Sequence, residues 1–223
     1  MPNTASETVL LTDTNAAYKL YFFKKKGVIP SQSISIDIGA VQFHPIVLEE
    51  VEGHVGFWKY ATEYNISNRT EHCPNFFKDI LPEDPEEILK FVRANLCSSI
   101  DSVDTKSEVF LNKRRIYEAE RNRLQAKWKA GGSKGAKVES MPSLNDYSIL
   151  FSAESSKFKI VTHDEILFAI ATEILEDASL LRVEDIIRSF YQADPKLKPL
   201  IESVITNLEY INEPISKIRI FDI

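Results

Sequence analysis

Four carboxylates stand at positions where they could do chemistry: Asp13, Glu50, Asp146 and Asp164. Two of them follow short apolar runs, Asp13 after Val9-Leu10-Leu11 and Asp164 after Ile160-Val161. The turns beyond strand ends are where open α/β sheets collect ligands, although an aspartate there serves equally well as the cap of the next helix. Glu50 and Asp146 fall within or near the starts of helix-like segments with apolar neighbours. A carboxylate on the inner side of a helix is costly unless something compensates it. Four carboxylates converging on one cleft would repel one another, and a divalent cation is the natural compensation. A hard ion such as Mg²⁺ takes oxygen ligands and keeps water, which suits cleavage of a phosphodiester.

Positioning those acids requires a particular series of elements. Val9-Leu10-Leu11, the polar Thr12-Asp13-Thr14-Asn15 and the stretch Ala16 to Lys26, ended by Gly27, read as strand, turn and helix. Tyr21-Phe22-Phe23 forms the buried face of that helix, and Lys24 to Lys26 complement its C-terminal dipole. A looser segment runs from Pro30 to Phe43. His44-Pro45 opens a second helix, proline being tolerated in the first turn, with Ile46, Val47, Val51, Val55 and Trp58 as its apolar stripe. Asn65 to Pro82 reads as a loop, Glu83 to Leu96 as a helix, and Leu111 to Lys129 as a basic helix ended by Gly131-Gly132. A helix starts near Pro142 to Asp146, a strand at Lys159-Ile160-Val161, and a helix spans about Glu165 to Glu176. A strand near Leu180 to Val183, helices at Glu184 to Tyr191 and Pro195 to Tyr210, and a last strand at Ile218 to Phe221 complete the series. Alternating strands and helices predict an α/β fold with a parallel sheet.

Composition narrows the classes. A chain of 223 residues with 43% hydrophobic residues can bury a core. Seven glycines against ten prolines, without a period, exclude collagen-like and low-complexity chains. The longest unbroken apolar run, Ile166 to Ala171, is six residues, far below the ~20 of a membrane-spanning helix. The start, Met1 to Thr8, lacks the basic and apolar stretches of a secretory signal. Two cysteines, Cys73 and Cys97, cannot build a disulfide framework. A cytoplasmic protein is the expectation. The net charge of -6 conceals an asymmetry: residues 111–137 hold nine Lys or Arg against two acids. Such a run is either a solvated face or a phosphate-binding arm opposite the acids, with Arg121, Arg123 and Lys127 as its contact residues.

No Gly-rich phosphate loop, Gly-x-Ser-x-Gly elbow or Cys/His metal spacing occurs. His44 and His54 read as cap and surface, and His163 as surface or packing.

The four acids lie in segments that resemble, in order, the motifs of PIN-domain nucleases. Leu10-Leu11-Thr12-Asp13-Thr14-Asn15 resembles their opening strand and turn, and Pro45 to Gly53 is similar to their second-helix motif. Asn145-Asp146-Tyr147-Ser148-Ile149-Leu150 looks like their Asn-Asp helix start, and Ile160-Val161-Thr162-His163-Asp164 like their strand end. The resemblance spans about Val9 to Trp58 and Met141 to Val183. It implies one three-layer α/β/α PIN-like domain over residues 1–223, with 65–140 a helical insertion and 184–223 a helical C-terminal extension. It also implies that Asp13, Glu50, Asp146 and Asp164 are the catalytic residues and the ligands of Mg²⁺ or Mn²⁺, with RNA as substrate. Glu50 is preferred to Glu49 because it immediately precedes Val51, and Asn15 and Thr162 occupy positions that orient the acids. Three functions stay open: a metal-dependent endoribonuclease, a module that binds RNA or protein without cutting, and a toxin covered by an antitoxin or other regulatory partner. The resemblance adds homodimerisation to the expected associations.

Overall fold

In the computed structural model, residues 8–64, 85–132, 142–175, 179–211 and 215–221 are described. The order is β1 (Val9–Thr12), α1 (Thr14–Lys25), β2 (Ile34–Ile36), β3 (Gly39–Phe43), α2 (Pro45–Glu63), α3 (Glu86–Ala94) and α4 (Glu108–Ala130). Then come α5 (Leu144–Ser156), β4 (Lys159–Val161), α6 (Glu165–Ile174), β5 (Leu180–Leu181), α7 (Val183–Ala193), α8 (Lys198–Tyr210) and α9 (Lys217–Phe221). The strands form one sheet in the order β2-β3-β1-β4-β5, parallel throughout except for the edge strand β2. The chain is therefore α/β with a mostly parallel five-stranded sheet, and its helix content is compatible with layers on both faces.

Central β1 explains the frame. Leu10, Leu11 and Thr12 are wholly buried, as expected of a parallel strand covered on both faces. Thr12 pairs with Phe43 on one side and Val161 on the other, and Val161 pairs in turn with Leu181. Four strands thus end level. Their next residues, Asp13, His44, Thr162 and Arg182, leave the carboxyl edge in one row.

Helix α1 buries Tyr18, Tyr21, Phe22 and Phe23; Gly27 then turns the chain with φ +84°. Helix α2 buries Val47, Val51 and Val55, while Ile46 and Trp58 are partly buried. Helix α3 is shorter than the expected 83–96 and packs into the core. Its Ile88, Phe91 and Val92 are buried, and the Phe91 ring lies 5.3 Å from that of Phe43. The basic helix α4 starts at Glu108, three residues before the expected start, because Ser107 caps it. The loop expected at Asn65 to Pro82 lies outside the described residues.

Two expectations are corrected. The segment Pro30 to Phe43 is not loose throughout: β2 and β3 form an antiparallel hairpin, pairing Ile34 with Val41 and Ile36 with Gly39. Ile218 to Phe221 is not a strand but part of the short helix α9, which packs on α7 and buries Ile220 while Ile218 stays exposed. Beyond β5 the strand signal stops early, because Val183 already opens α7.

Candidate active site

A cleft of about 260 Å³ opens at the carboxyl edge, lined by Asp13, Thr14, Asn15, Tyr18, Glu50, His54, Asp146 and Asp164. All four acids singled out in the sequence meet there. Capping and lining the cleft are not alternatives, because three of the acids do both. Asp13 caps α1, accepting from the Ala16 amide at 2.6 Å, while its other oxygen accepts from the Thr162 hydroxyl. Asp164 caps α6, accepting from the amides of Ile166 at 2.8 Å and Leu167 at 2.7 Å. Asp146 closes a capping box with Ser143, accepting from its amide at 2.7 Å and its hydroxyl at 2.8 Å. Glu50, in the middle of α2, accepts from the Thr14 hydroxyl and from the Asn145 side-chain amide. Glu49 beside it is exposed.

These carboxylates sit uneasily together. Burial pushes the Asp13 carboxyl up to about 7; bonds from Thr162 and the Ala16 amide oppose this, and the charges of Asp146 and Asp164 add to it. Burial also raises Asp146, opposed by Ser143 and reinforced by Asp164 and Glu50. Desolvation and like charge thus act in the same direction. A cation among them would reverse the balance, since it favours the ionised forms.

The donor set suits a hard cation such as Mg²⁺ or Mn²⁺. Among the described residues, however, no three His, Cys, Asp or Glu side chains are grouped closely enough to hold one ion directly. The described side chains thus form no dry cage of carboxylates around one ion.

The Thr162 hydroxyl, expected to orient the acids, donates to Asp13 and accepts from the Asp164 amide at 3.0 Å. Asn15 lines the cleft, but the hydrogen bonds to Glu50 come from its neighbour Thr14 and from Asn145.

His44 is a cap as expected. Its Nδ1 accepts from the Ile46 amide at 3.1 Å, so Nε2 carries the proton toward Ser152 Oγ at 2.9 Å. Burial holds this imidazole down at about 4. His54 corrects the surface reading. It lines the cleft with Tyr18, whose hydroxyl lies 2.7 Å from its Nδ1. Burial lowers its pKa against the opposing charge of Glu50. The signal that could have found this pair is helical spacing: Tyr18 lies one turn beyond Thr14, and His54 one turn beyond Glu50.

The three basic residues singled out do not line the cleft. Arg123 is held on Glu120 and on Glu173, near the far end of α6 from Asp164. Arg121 donates to Gln125 at 2.9 Å. The Tyr117 ring of α4 stacks on that of Tyr147, 5.9 Å away, so α4 passes the end of α5 that carries Asp146. Lys127 is exposed. Lys113 and Arg114 pair with Glu154 and Glu118. Three of the seven Lys and Arg of this helix are thus paired with carboxylates.

Comparison with family models, curated proteins and solved structures found no match to this chain. No described helix is long and apolar enough to cross a membrane.

Proposed function

We propose that this chain is a PIN-like, metal-dependent endoribonuclease. One observation carries the reading: four carboxylates from distant points of the sequence line one cleft at the carboxyl edge of the sheet, and two have their protonation pushed upward there. When bound, Mg²⁺ or Mn²⁺ supplies charge neutralisation for a phosphate and a more acidic bound water. The chain's own part is to hold that charge in place. Asp13 and Glu50 are fixed by donors on both carboxylate oxygens, which limits their freedom to turn away. Asp146 and Asp164 keep their orientation through the caps they form. In this reading water is the nucleophile: it attacks phosphorus, and the bond to the 3′-oxygen breaks without a covalent enzyme intermediate.

The competing reading is an RNA- or partner-binding module that does not cut. It is favoured by the capping bonds, which give three of the acids a structural reason to be present. A divalent-metal titration with short single-stranded RNAs, hairpin RNAs and single-stranded DNA separates the two. We expect RNA cleavage that needs Mg²⁺ or Mn²⁺ and stops with chelator. Binding without cleavage at any metal concentration would establish the module instead.

Substrate binding provides a second test. An acidic cleft needs nearby positive surface to hold a polyanion, and α4 passes the Asp146 end of α5. Replacing Arg121, Arg123 and Lys127 with Gln is expected to weaken RNA binding about tenfold at 0.1 M salt. The log–log salt slope should drop by about 1 to 2, since each phosphate contact on a single strand contributes roughly 0.7. With Arg123 held on Glu120 and Glu173, most of the effect should come from Arg121 and Lys127. An unchanged slope would assign α4 to packing and remove it from the substrate path.

A further inference from the structure

We infer that Arg182 and Glu184 are positioning residues for the acidic cleft, acting through the loop from Thr162 to Glu165. The link to catalysis rests on the nuclease reading; the clamp itself does not.

The inference begins with register. Leu181 pairs with Val161, and the Thr162 amide donates to the Leu181 carbonyl at 3.1 Å. The residues beyond β5 therefore run beside those beyond β4. Two side-chain contacts cross between these loops. His163 Nδ1 lies 3.7 Å from Glu184 Oε2, and Arg182 lies 3.2 Å from Glu165 Oε1. They connect 163 with 184 and 165 with 182, so the loop is held on both sides of Asp164.

Each anchor is itself fixed. The Arg182 guanidinium lies over the Phe168 ring, 3.7 Å from its centroid, and only 7% of the residue is exposed. Its backbone amide donates to Asp185 at 2.7 Å. Glu184 is 3% exposed, and its Oε1 accepts from the Ser216 amide at 3.1 Å, just ahead of α9. Burying charge in this way costs several kcal/mol per ion unless partners compensate it. Asp185 already supplies the carboxylate that closes the start of α7, so capping does not require Arg182 or Glu184 to be charged.

The loop they hold orders two of the four acids. It carries Asp164, whose oxygen caps α6, and Thr162, whose hydroxyl donates to Asp13. A contact at Glu184 therefore ties the C-terminal segment around Ser216 to the acids through one intervening loop. Partners lying behind a metal's ligands typically change metal affinity or activity by about 10- to 100-fold when removed.

The test uses the full chain with Glu184→Gln and, separately, Arg182→Lys. Gln keeps an acceptor for Ser216 but loses the charge facing His163. Lys keeps the charge but loses the planar stack on Phe168. Hydrogen exchange of residues 162–168 and Mn²⁺ binding by calorimetry are both measured. We expect about tenfold faster exchange confined to that loop and the first turn of α6, and about tenfold weaker Mn²⁺ binding. Exchange and affinity equal to the parent in both variants would overturn the inference. So would faster exchange throughout the domain with a fallen Tm, which would make the two residues general stabilisers. If the parent binds no Mn²⁺, the nuclease reading fails, and loop exchange alone still decides the clamp.

Discussion

Asp13→Asn is expected to abolish metal-dependent RNA cleavage while raising the metal-free melting temperature at neutral pH. Both effects have one cause. In the folded chain the Asp13 carboxyl sits at about 7 instead of 3.8, because burial and the charges of Asp146 and Asp164 oppose its ionisation. A group whose folded pKa is raised binds its proton more tightly in the native state. Its stabilising contribution is fully present below about pH 4 and is lost as pH rises through about 7. Asparagine cannot ionise, so the variant should start below the parent near pH 4, by the cost of its altered bond to Thr162, and gain on it until about pH 7, above which the difference levels off. His44, held down at about 4, gives the parent an opposite trend over part of that range, but it cancels in the difference.

Each pH unit of displacement corresponds to about 1.4 kcal/mol. The gain is smaller than the full displacement, because Asn changes the bond to Thr162. The Asn Nδ2 would donate to the hydroxyl, leaving that hydroxyl's own hydrogen without its former acceptor. A net gain of about 2 kcal/mol, or roughly 4–8 °C, is expected. Cleavage should fall by at least about a thousandfold, since losing several kcal/mol of charge stabilisation in the transition state costs that much. Added Mg²⁺ should stabilise the parent at pH 7.5 and leave the variant unmoved. Thermal melts from pH 4 to 8 and single-turnover cleavage check these outcomes. A variant that cuts as the parent does would sink the mechanism.

Gly39→Ala is expected to cost the domain about 3 kcal/mol or more, the cost of a strained backbone combined with a clash. Gly39 opens β3 with φ +149°, a conformation that side chains rarely adopt. A Cβ there would stand 2.1 Å from the Thr8 carbonyl oxygen, which accepts from the Ala40 amide at 2.9 Å. The clash is with backbone, so no side-chain rotation relieves it. Either β3 draws away from β1, or the bond between them breaks. Because β1 delivers Asp13 and β3 leads directly to α2 with Glu50, the same change should loosen the cleft. A Tm within about 2 °C of the parent would show that the hairpin tolerates the side chain.

The hairpin that depends on Gly39 was hidden in the sequence. Its first strand is three residues long, follows the polar Pro30-Ser31-Gln32-Ser33, and gains its partner only when the chain folds back. Asn95 helps make that fold, accepting from the Ile34 amide at 3.2 Å and donating to the Gln32 carbonyl at 2.8 Å from 61 and 63 residues away. Ile218 and Ile220 misled in the other direction. Their alternation suits a strand, but the segment coils against α7 with Ile220 inward.

The positions of the four acids were legible because each sits beside a strong local signal: an apolar strand, a proline-opened helix or a capping serine. What they share was not local. Whether Asp13 is a cap or a site residue has no answer in its neighbours, because the same carboxylate makes the cap and faces the cleft. Helical spacing alone could not tell that Tyr18 and His54 face each other, since that depends on how α1 and α2 pack. The amino-acid order by itself determined the buried strands, most of the helices and the four carboxylates, through apolar period, caps and turn residues acting over a few positions. Tertiary structure alone decided the level ends of β3, β1, β4 and β5, the raised pKa of Asp13 and the pairing of α4 with Glu154 and Glu173. Register, desolvation and charge contact arise only between segments that the chain brings together from far apart.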